Sequence, residues 1–184
     1  MKKSFYFLFI AFSVFLVGCS HTEIPTDSSL PDREPTSGKL SETILNAQLK
    51  DINSQKIFTI NDFNGKPILL ESFAVWCPVC TKQQGKIKEL HEEIGDSVVS
   101  ISLDTDSNED EEKVREHLQR NKFDWYYAIS PAELTKELIE EFGTSVINAP
   151  QAPVILICQD QSAKMLGRGV KSVSELKEAI NSCS

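Results

Sequence analysis

Residues 71–80 read ESFAVWCPVC and contain two cysteines, Cys77 and Cys80, separated by two residues. The apolar run at 68–75 predicts a buried strand, and apolar residues at helical spacing predict a helix over 79–94. Two cysteines three positions apart on a helical turn lie on the same face, where their sulfurs can close a disulfide. The run therefore predicts a cysteine pair at the junction between a strand and a helix.

Around this junction, strand-like and helical patterns alternate along the chain. Turn residues stand at 64–67, and a capping box from Ser172 to Glu175 predicts the start of the last helix. The other predicted strands are 45–49, 56–60, 98–103, 125–129, 154–158 and 164–170, and the other predicted helices are 109–120 and 131–143. Ser130 is the predicted N-cap of the helix over 131–143. Such alternation is typical of the α/β class.

The position of Cys77 at the start of a helix predicts its chemistry. Unpaired backbone N–H groups and the helix dipole favour negative charge there, so the Cys77 thiolate is stabilised. A thiolate attacks a disulfide to form a mixed disulfide, and the more enclosed Cys80 would then attack Cys77 to resolve it. This exchange moves two electrons and needs no cofactor.

A cysteine pair has other uses. An inert structural disulfide in a secreted protein remains an alternative. Zinc requires about four ligands, and His21, His91 and His117 supply no second ligand pair, so no metal site is predicted. Covalent haem attachment requires a histidine directly after the second cysteine, where this chain has Thr81.

The composition limits the domain count and the partners. The chain has 184 residues, 40% hydrophobic and 25% charged, as expected for one globular domain. Its 27 acidic residues exceed 19 basic ones, and loss of a leader containing Lys2 and Lys3 would change the net charge from -8 to -10. This acidic surface argues against nucleic acid as a partner.

The first residues predict export from the cytosol. Residues 1–18 resemble a signal peptide, and LVGC at 16–19 looks like a bacterial lipobox, which implies cleavage before Cys19 and its lipidation. The predicted organisation is a lipidated cysteine with a flexible tether over 19–39, then a domain over 40–184. An uncleaved signal or simple membrane anchor is the alternative. Either places the domain outside the cytosol, held at the cell membrane.

The residues at 71–80 resemble the active-site segment of the thioredoxin superfamily, especially membrane-tethered proteins of the TlpA/ResA type. The shared residues within it are Phe73, Ala74 and Trp76. The resemblance extends to NGKP at 64–67 and to APVILI at 152–157, and it covers about 40–184. It implies a thioredoxin-like three-layer α/β fold. In that fold a central mixed sheet has flanking helices, extra N-terminal strands, and an inserted strand and helix.

The resemblance also implies an activity. A protein of this type exchanges the dithiol or disulfide of Cys77 and Cys80 with cysteines of extracytoplasmic client proteins, here in the reductive direction. A membrane thiol electron donor would recharge the pair, and clients would include apocytochromes during cytochrome c maturation. A disulfide-introducing oxidant and a non-catalytic binding module remain alternatives. A peroxiredoxin-type peroxidase is disfavoured because Ala74 stands where that family has threonine.

The same resemblance implies a substrate-binding set. Pro153 matches a cis proline that packs against the redox pair and presents the backbone of the preceding residue, Ala152, to an extended substrate. Pro150 is a weaker match, and a trans proline at the start of a strand is the alternative. Trp76 and Pro78 complete the set, Trp76 flanking the sulfur.

Glu71 lies inside an apolar run, at the place of the buried acid of thioredoxins. Burial would raise the pKa of its carboxyl group, which could then exchange protons with the resolving thiol. Strand alternation does not decide between this arrangement and a side chain that faces solvent.

Cys158 and Cys183 form a second candidate pair. In a thioredoxin-like topology, Cys158 ends its strand on the side opposite the active site, and the terminal helix returns to that side near Cys183. A structural disulfide is the prediction, with two free thiols as the alternative.

Overall fold

The computed structural model describes residues 38–183. The strands are β1 (Gly38–Lys39), β2 (Leu49–Lys50), β3 (Ile57–Phe58), β4 (Ile68–Phe73), β5 (Val99–Asp104), β6 (Tyr126–Ile129), β7 (Val154–Ile157) and β8 (Ser162–Met165). The helices are α1 (Glu42–Leu45), α2 (Pro78–Ile94), α3 (Glu111–Asn121), α4 (Ala132–Phe142) and α5 (Val173–Asn181).

The main sheet has six strands in the order β1-β8-β7-β4-β5-β6. Strands β4, β5 and β6 run parallel, whereas β7 is antiparallel to β4, and β8 is antiparallel to both β7 and β1. Strands β2 and β3 form a separate antiparallel hairpin. The alternation of strands and helices thus gives the predicted mixed sheet, and the α/β fold class is confirmed.

Helices cover both faces of the sheet, so the central strand β4 is buried along its whole length. On one face, Ile68 and Leu70 pack with apolar residues of α1 and α4. On the other face, Leu69 and Phe73 pack with apolar residues of α2, α3 and α5. Because side chains alternate along a strand, Glu71 shares the second face. The resulting three layers place an acid beneath α2.

Some predicted elements differ from the observed ones. The segment at 45–49 was predicted as a strand, but Ser41 caps a short helix by accepting a hydrogen bond from the Ile44 amide, and β2 begins only at Leu49. Ser130 does not cap α4, since its hydroxyl pairs instead with that of Thr135 at 2.8 Å.

Three predicted features lie outside the described residues: the signal peptide at 1–18, the lipid site Cys19, and the tether except for its last two residues. The last two residues assigned to the tether, Gly38–Lys39, form β1 at the edge of the sheet, so the ordered domain begins before residue 40. Within residues 38–183, no helix is long and apolar enough to cross a membrane.

Candidate active site

The two cysteines of the motif lie at the first turn of α2. Cys77 is the N-cap, in extended conformation, and Pro78 occupies the first turn, where its missing N–H is not needed. The Cys77 sulfur accepts a hydrogen bond from the Cys80 amide at 3.2 Å. Both thiols are free, and their sulfurs are 2.7 Å apart. The local geometry therefore allows the pair to be oxidised with little movement of the backbone.

Cys80 is enclosed and stays protonated. Its side chain is 0% exposed, and its sulfur lies 3.1 Å from the carbonyl oxygen of Ala149. Burial raises the pKa of the Cys80 thiol well above its usual value, and the hydrogen bond with Cys77 and the negative charge of Glu71 raise it further. Cys80 therefore needs a proton acceptor before it can act as a nucleophile.

Cys77 is also buried, at 1% exposed, whereas the predicted attack on a disulfide requires an accessible sulfur. Beside it, the Trp76 indole is 59% exposed and donates to Asp106 at 2.6 Å. A cavity of about 260 Å³ separates Trp76 from the segment 147–150. Cys77 itself does not line this cavity, although its neighbour Trp76 does.

A larger cavity of about 870 Å³ lies beside the β2–β3 hairpin. None of the predicted site residues within 38–183 lines it. Within the part of the chain that the structure describes, no group of three or more His, Cys, Asp or Glu side chains could hold a metal ion.

Glu71 is fully buried on the α2 side of the sheet, so the solvent-facing alternative is not observed. Its Oε2 accepts a hydrogen bond from Ser102 at 2.8 Å, and its Oε1 has no hydrogen-bond partner among the described residues. Burial raises the pKa of the Glu71 carboxyl group to about 8, against the opposing effects of Ser102, Gln84 and Lys171. The group can therefore change protonation state near neutral pH.

Lys171 is a further buried ionisable residue, and the sequence did not predict its burial. The side chain is 5% exposed, and its ammonium donates to the carbonyl oxygens of Ala152 and Gly169. Its backbone N–H donates to Gln83 of α2 at 2.7 Å. Burial lowers the pKa of Lys171 to about 8, while Glu71 and then Cys80 oppose the shift. The feature of the sequence that could have indicated a buried polar partner was Gln83, a polar residue on the inner face of α2.

The segment before β7 corrects two expectations. No peptide bond within residues 38–183 is cis, so the Ala152–Pro153 bond is trans, and the chain instead turns through a left-handed Ala152 with φ of 45°. Ala152 is fully buried: its N–H donates to Ala149 at 2.8 Å and its carbonyl accepts from Lys171. Because Ala152 is buried, its backbone groups are not exposed to a substrate. Pro153 is buried at the start of β7.

Acidic side chains hold the residues that precede Cys77, a role that the sequence did not indicate. Glu109 accepts from the Val75 amide at 2.7 Å, and Asp106 accepts from Trp76. Hydrogen bonds from Asn108 and Trp76 lower the pKa of Asp106. Burial raises the pKa of Asp104 to about 7, and the negative charge of Glu109 adds to the rise.

Cys158 and Cys183 are joined by a disulfide with a sequence separation of 25. The bond connects the end of β7 to the C-terminal end of α5. Because Cys77 and Cys80 are free, the chain has one bonded pair and one dithiol within the described residues.

The sheet order, the two helical layers and the helix-borne cysteine pair define a thioredoxin-like fold. Residues 28–180 match the Redoxin family, and the chain belongs to that family.

Solved structures with this fold superpose on most of the chain. A secreted disulfide oxidoreductase of Mycobacterium tuberculosis, described as homologous to E. coli DsbE, matches with a TM-score of 0.62 and 13% identity, over 77% of this chain and 99% of its own. A thiol:disulfide interchange protein of Chlorobium tepidum matches with a TM-score of 0.63 and 15% identity, over 83% and 99%. StoA of Bacillus subtilis matches with a TM-score of 0.55 and 20% identity, over 72% and 93%.

Among curated sequences, an uncharacterized protein of Haemophilus influenzae is 26% identical over 106 residues. The match spans 58% of this chain and 64% of that protein.

Proposed function

We propose that this protein is a thiol-disulfide oxidoreductase in which Cys77 attacks and Cys80 resolves. The observation that carries the proposal is the pairing of two free sulfurs 2.7 Å apart, with the Cys77 sulfur accepting from a backbone amide in the first turn of α2. A purely structural pair would need neither the free thiols nor the buried acid beneath them.

In the reductive direction, the dithiol of Cys77 and Cys80 passes two electrons to a client disulfide. The Cys77 thiolate attacks a client disulfide, and one client sulfur leaves as a thiolate. Cys80 then loses its proton and attacks the Cys77 sulfur, which breaks the mixed disulfide and releases the second client sulfur as a thiolate. The client gains two electrons, and the Cys77–Cys80 disulfide is formed. A thiol donor must return two electrons to the pair before the next cycle.

Glu71 is proposed as the group that takes the Cys80 proton. Its pKa of about 8 suits a group that accepts and returns a proton near neutral pH. The negative charge of Glu71 also acts on the Cys80 thiol, so the two groups lie within electrostatic range. Protonation of Glu71 removes that repulsion as the thiolate forms.

The exposed residues beside the pair are proposed to receive the client. Trp76 is 59% exposed and borders the cavity next to Cys77, and Pro78 is exposed at the first turn of α2. Pro153 would support the pair from the start of β7. The two internally bonded backbone groups of Ala152 are not part of this proposal.

We further propose that the protein is of the TlpA/ResA type and acts outside the cytosol as a lipoprotein held through Cys19. The leader motif supports this placement, and so does the Cys158–Cys183 disulfide, since such bonds persist in oxidising compartments. Reduction of client cysteines, including those of apocytochromes, with electrons from a membrane thiol donor is the proposed direction. Oxidation of clients is the second candidate.

Insulin reduction with dithiothreitol as the electron source tests the activity. Wild type should accelerate the reaction, and Cys77→Ser should reduce the rate to that of dithiothreitol alone. Cys80→Ser should accumulate a mixed disulfide that Cys77→Ser does not form. Equal rates for wild type and Cys77→Ser would instead favour a non-catalytic binding module. The reduction potential of the Cys77–Cys80 couple then separates a reductant from an oxidant.

A further inference from the structure

Lys171 carries a buried positive charge whose position is well defined. Among residues 38–183, no other lysine or arginine side chain is buried. The ammonium is held by the carbonyls of Ala152 and Gly169, and the Lys171 backbone is held by Gln83. Burial of a cation is unfavourable unless a nearby anion or polar group compensates it. The buried ammonium is therefore expected to compensate the negative charge of a nearby group.

A short turn of the backbone lies between Lys171 and the resolving cysteine, Cys80. Residues 149–152 form a tight turn, in which the Ala152 amide donates to the Ala149 carbonyl at 2.8 Å. The Lys171 ammonium binds the Ala152 carbonyl at one end of this turn, and the Cys80 sulfur lies 3.1 Å from the Ala149 carbonyl at the other. One short turn thus connects the ammonium and the thiol.

Charged groups reach Lys171 from three elements. Glu71 lies on β4, Cys80 on α2 and Glu175 on α5, and each of them raises the pKa of Lys171 when it is negatively charged. On Cys80 itself the larger effects are burial and the hydrogen bond with Cys77, both of which oppose ionisation. Cys80 therefore requires a compensating charge when it becomes a thiolate in the absence of solvent.

We infer that Lys171 is a positioning residue for the resolving step, and that its ammonium is the fixed positive charge against which the Cys80 thiolate forms. This inference rests on the proposed function. In the mixed disulfide, the proton of Cys80 passes to the Glu71 carboxylate, so the negative charge moves from Glu71 to the Cys80 sulfur. Lys171 stays protonated and compensates the charge at both positions. The thiolate then attacks the Cys77 sulfur and displaces the client thiolate.

Reaction of the Cys77–Cys80 dithiol with a chromogenic aromatic disulfide separates the two steps. The first equivalent of coloured thiolate reports attack by Cys77, and the second reports resolution by Cys80. Lys171→Met, which keeps the side-chain length without the charge, should leave the first phase within about twofold of wild type. It should slow the second phase by about tenfold or more, since a tenfold loss of thiolate corresponds to one pKa unit.

The pH dependence of the second phase gives an independent readout. In Lys171→Met its midpoint should move to higher pH, because the Cys80 thiolate would then form without the nearby cation. Lys171→Gln, which can still donate a hydrogen bond but has no charge, should behave like Lys171→Met. Lys177→Met is the matched control, because Lys177 pairs with Glu93 on the surface at 3.0 Å.

The outcomes are distinct. A second phase of wild-type rate in Lys171→Gln or Lys171→Met overturns the role of the charge, and so does equal slowing of both phases in a variant whose circular dichroism matches that of wild type. Absence of the first phase in wild type rejects the proposed function itself. If Lys171→Met does not fold, Lys171→Gln alone decides, provided that its circular dichroism matches that of wild type.

Discussion

Glu71 and Ser102 are direct neighbours on the parallel strands β4 and β5, and the Ser102 hydroxyl donates to Glu71 Oε2 at 2.8 Å. The same serine oxygen accepts from the Trp125 indole at 3.0 Å. Among the described residues, the other carboxyl oxygen of Glu71 has no hydrogen-bond partner, although the side chain is fully buried. Protonation is the simplest way to lower the free energy of such a carboxyl group.

Glu71→Gln should change the pH dependence of stability. Because the pKa of Glu71 is raised from 4.5 to about 8, the folded state binds its proton more tightly than the unfolded state. The stability linked to this proton is complete below the unfolded pKa and is lost as pH rises through the folded pKa. The glutamine variant lacks that loss. The difference in free energy of unfolding, variant minus wild type, should increase by up to about 1.4 kcal/mol per pH unit between about pH 5 and pH 8.

Urea denaturation of both proteins across that range measures the difference. Taking the difference cancels other titrating groups, such as His117 and Asp104, when they titrate alike in both proteins. Exposed Glu178→Gln is the control and should run parallel to wild type. A Glu71→Gln curve parallel to wild type would show that the carboxyl group ionises as readily in the folded as in the unfolded chain.

The disulfide between Cys158 and Cys183 should contribute mainly to stability. Its sequence separation of 25 predicts that the double variant Cys158→Ser/Cys183→Ser loses about 3 kcal/mol in free energy of unfolding, because the unfolded chain gains loop entropy. Guanidinium denaturation under non-reducing conditions measures the loss. Wild type in excess reductant should shift towards the same midpoint. An unchanged midpoint in the variant would mean that the bond does not stabilise the fold.

Asp106 should act on client binding through Trp76. Asp106→Ala removes the acceptor of the indole N–H, so the exposed ring should gain mobility beside the cavity that is proposed to receive clients. We expect KM for insulin reduction to rise about threefold with kcat nearly unchanged, as for a loss of uniform binding. Asp160→Ala, at an exposed site on the β7–β8 turn, is the control. A fall in kcat at constant KM would place Asp106 in the chemical step instead.

Much of the site was predictable because its causes are local. Pro78 at the first turn, the spacing of Cys77 and Cys80, and the apolar run before them specify a strand, a turn and a helix with two sulfurs on one face. The capping box at Ser172 and Glu175 is confirmed for the same reason, since its hydrogen bonds join residues three positions apart. The acids that hold Val75 and Trp76 were not predictable, because they approach from a loop about thirty positions away.

The sequence by itself determined the α/β alternation and the place of the cysteine pair, because hydrophobic period and helix-start chemistry act over a few residues. Only the tertiary structure decided that Glu71 is buried, since a strand covered on both faces gives an acid no exposed side to occupy. It also decided that Lys171, 100 positions further along the chain, enters the same interior, and that Ala152 turns with a trans bond to Pro153. These features depend on packing between distant segments, which no local pattern contains.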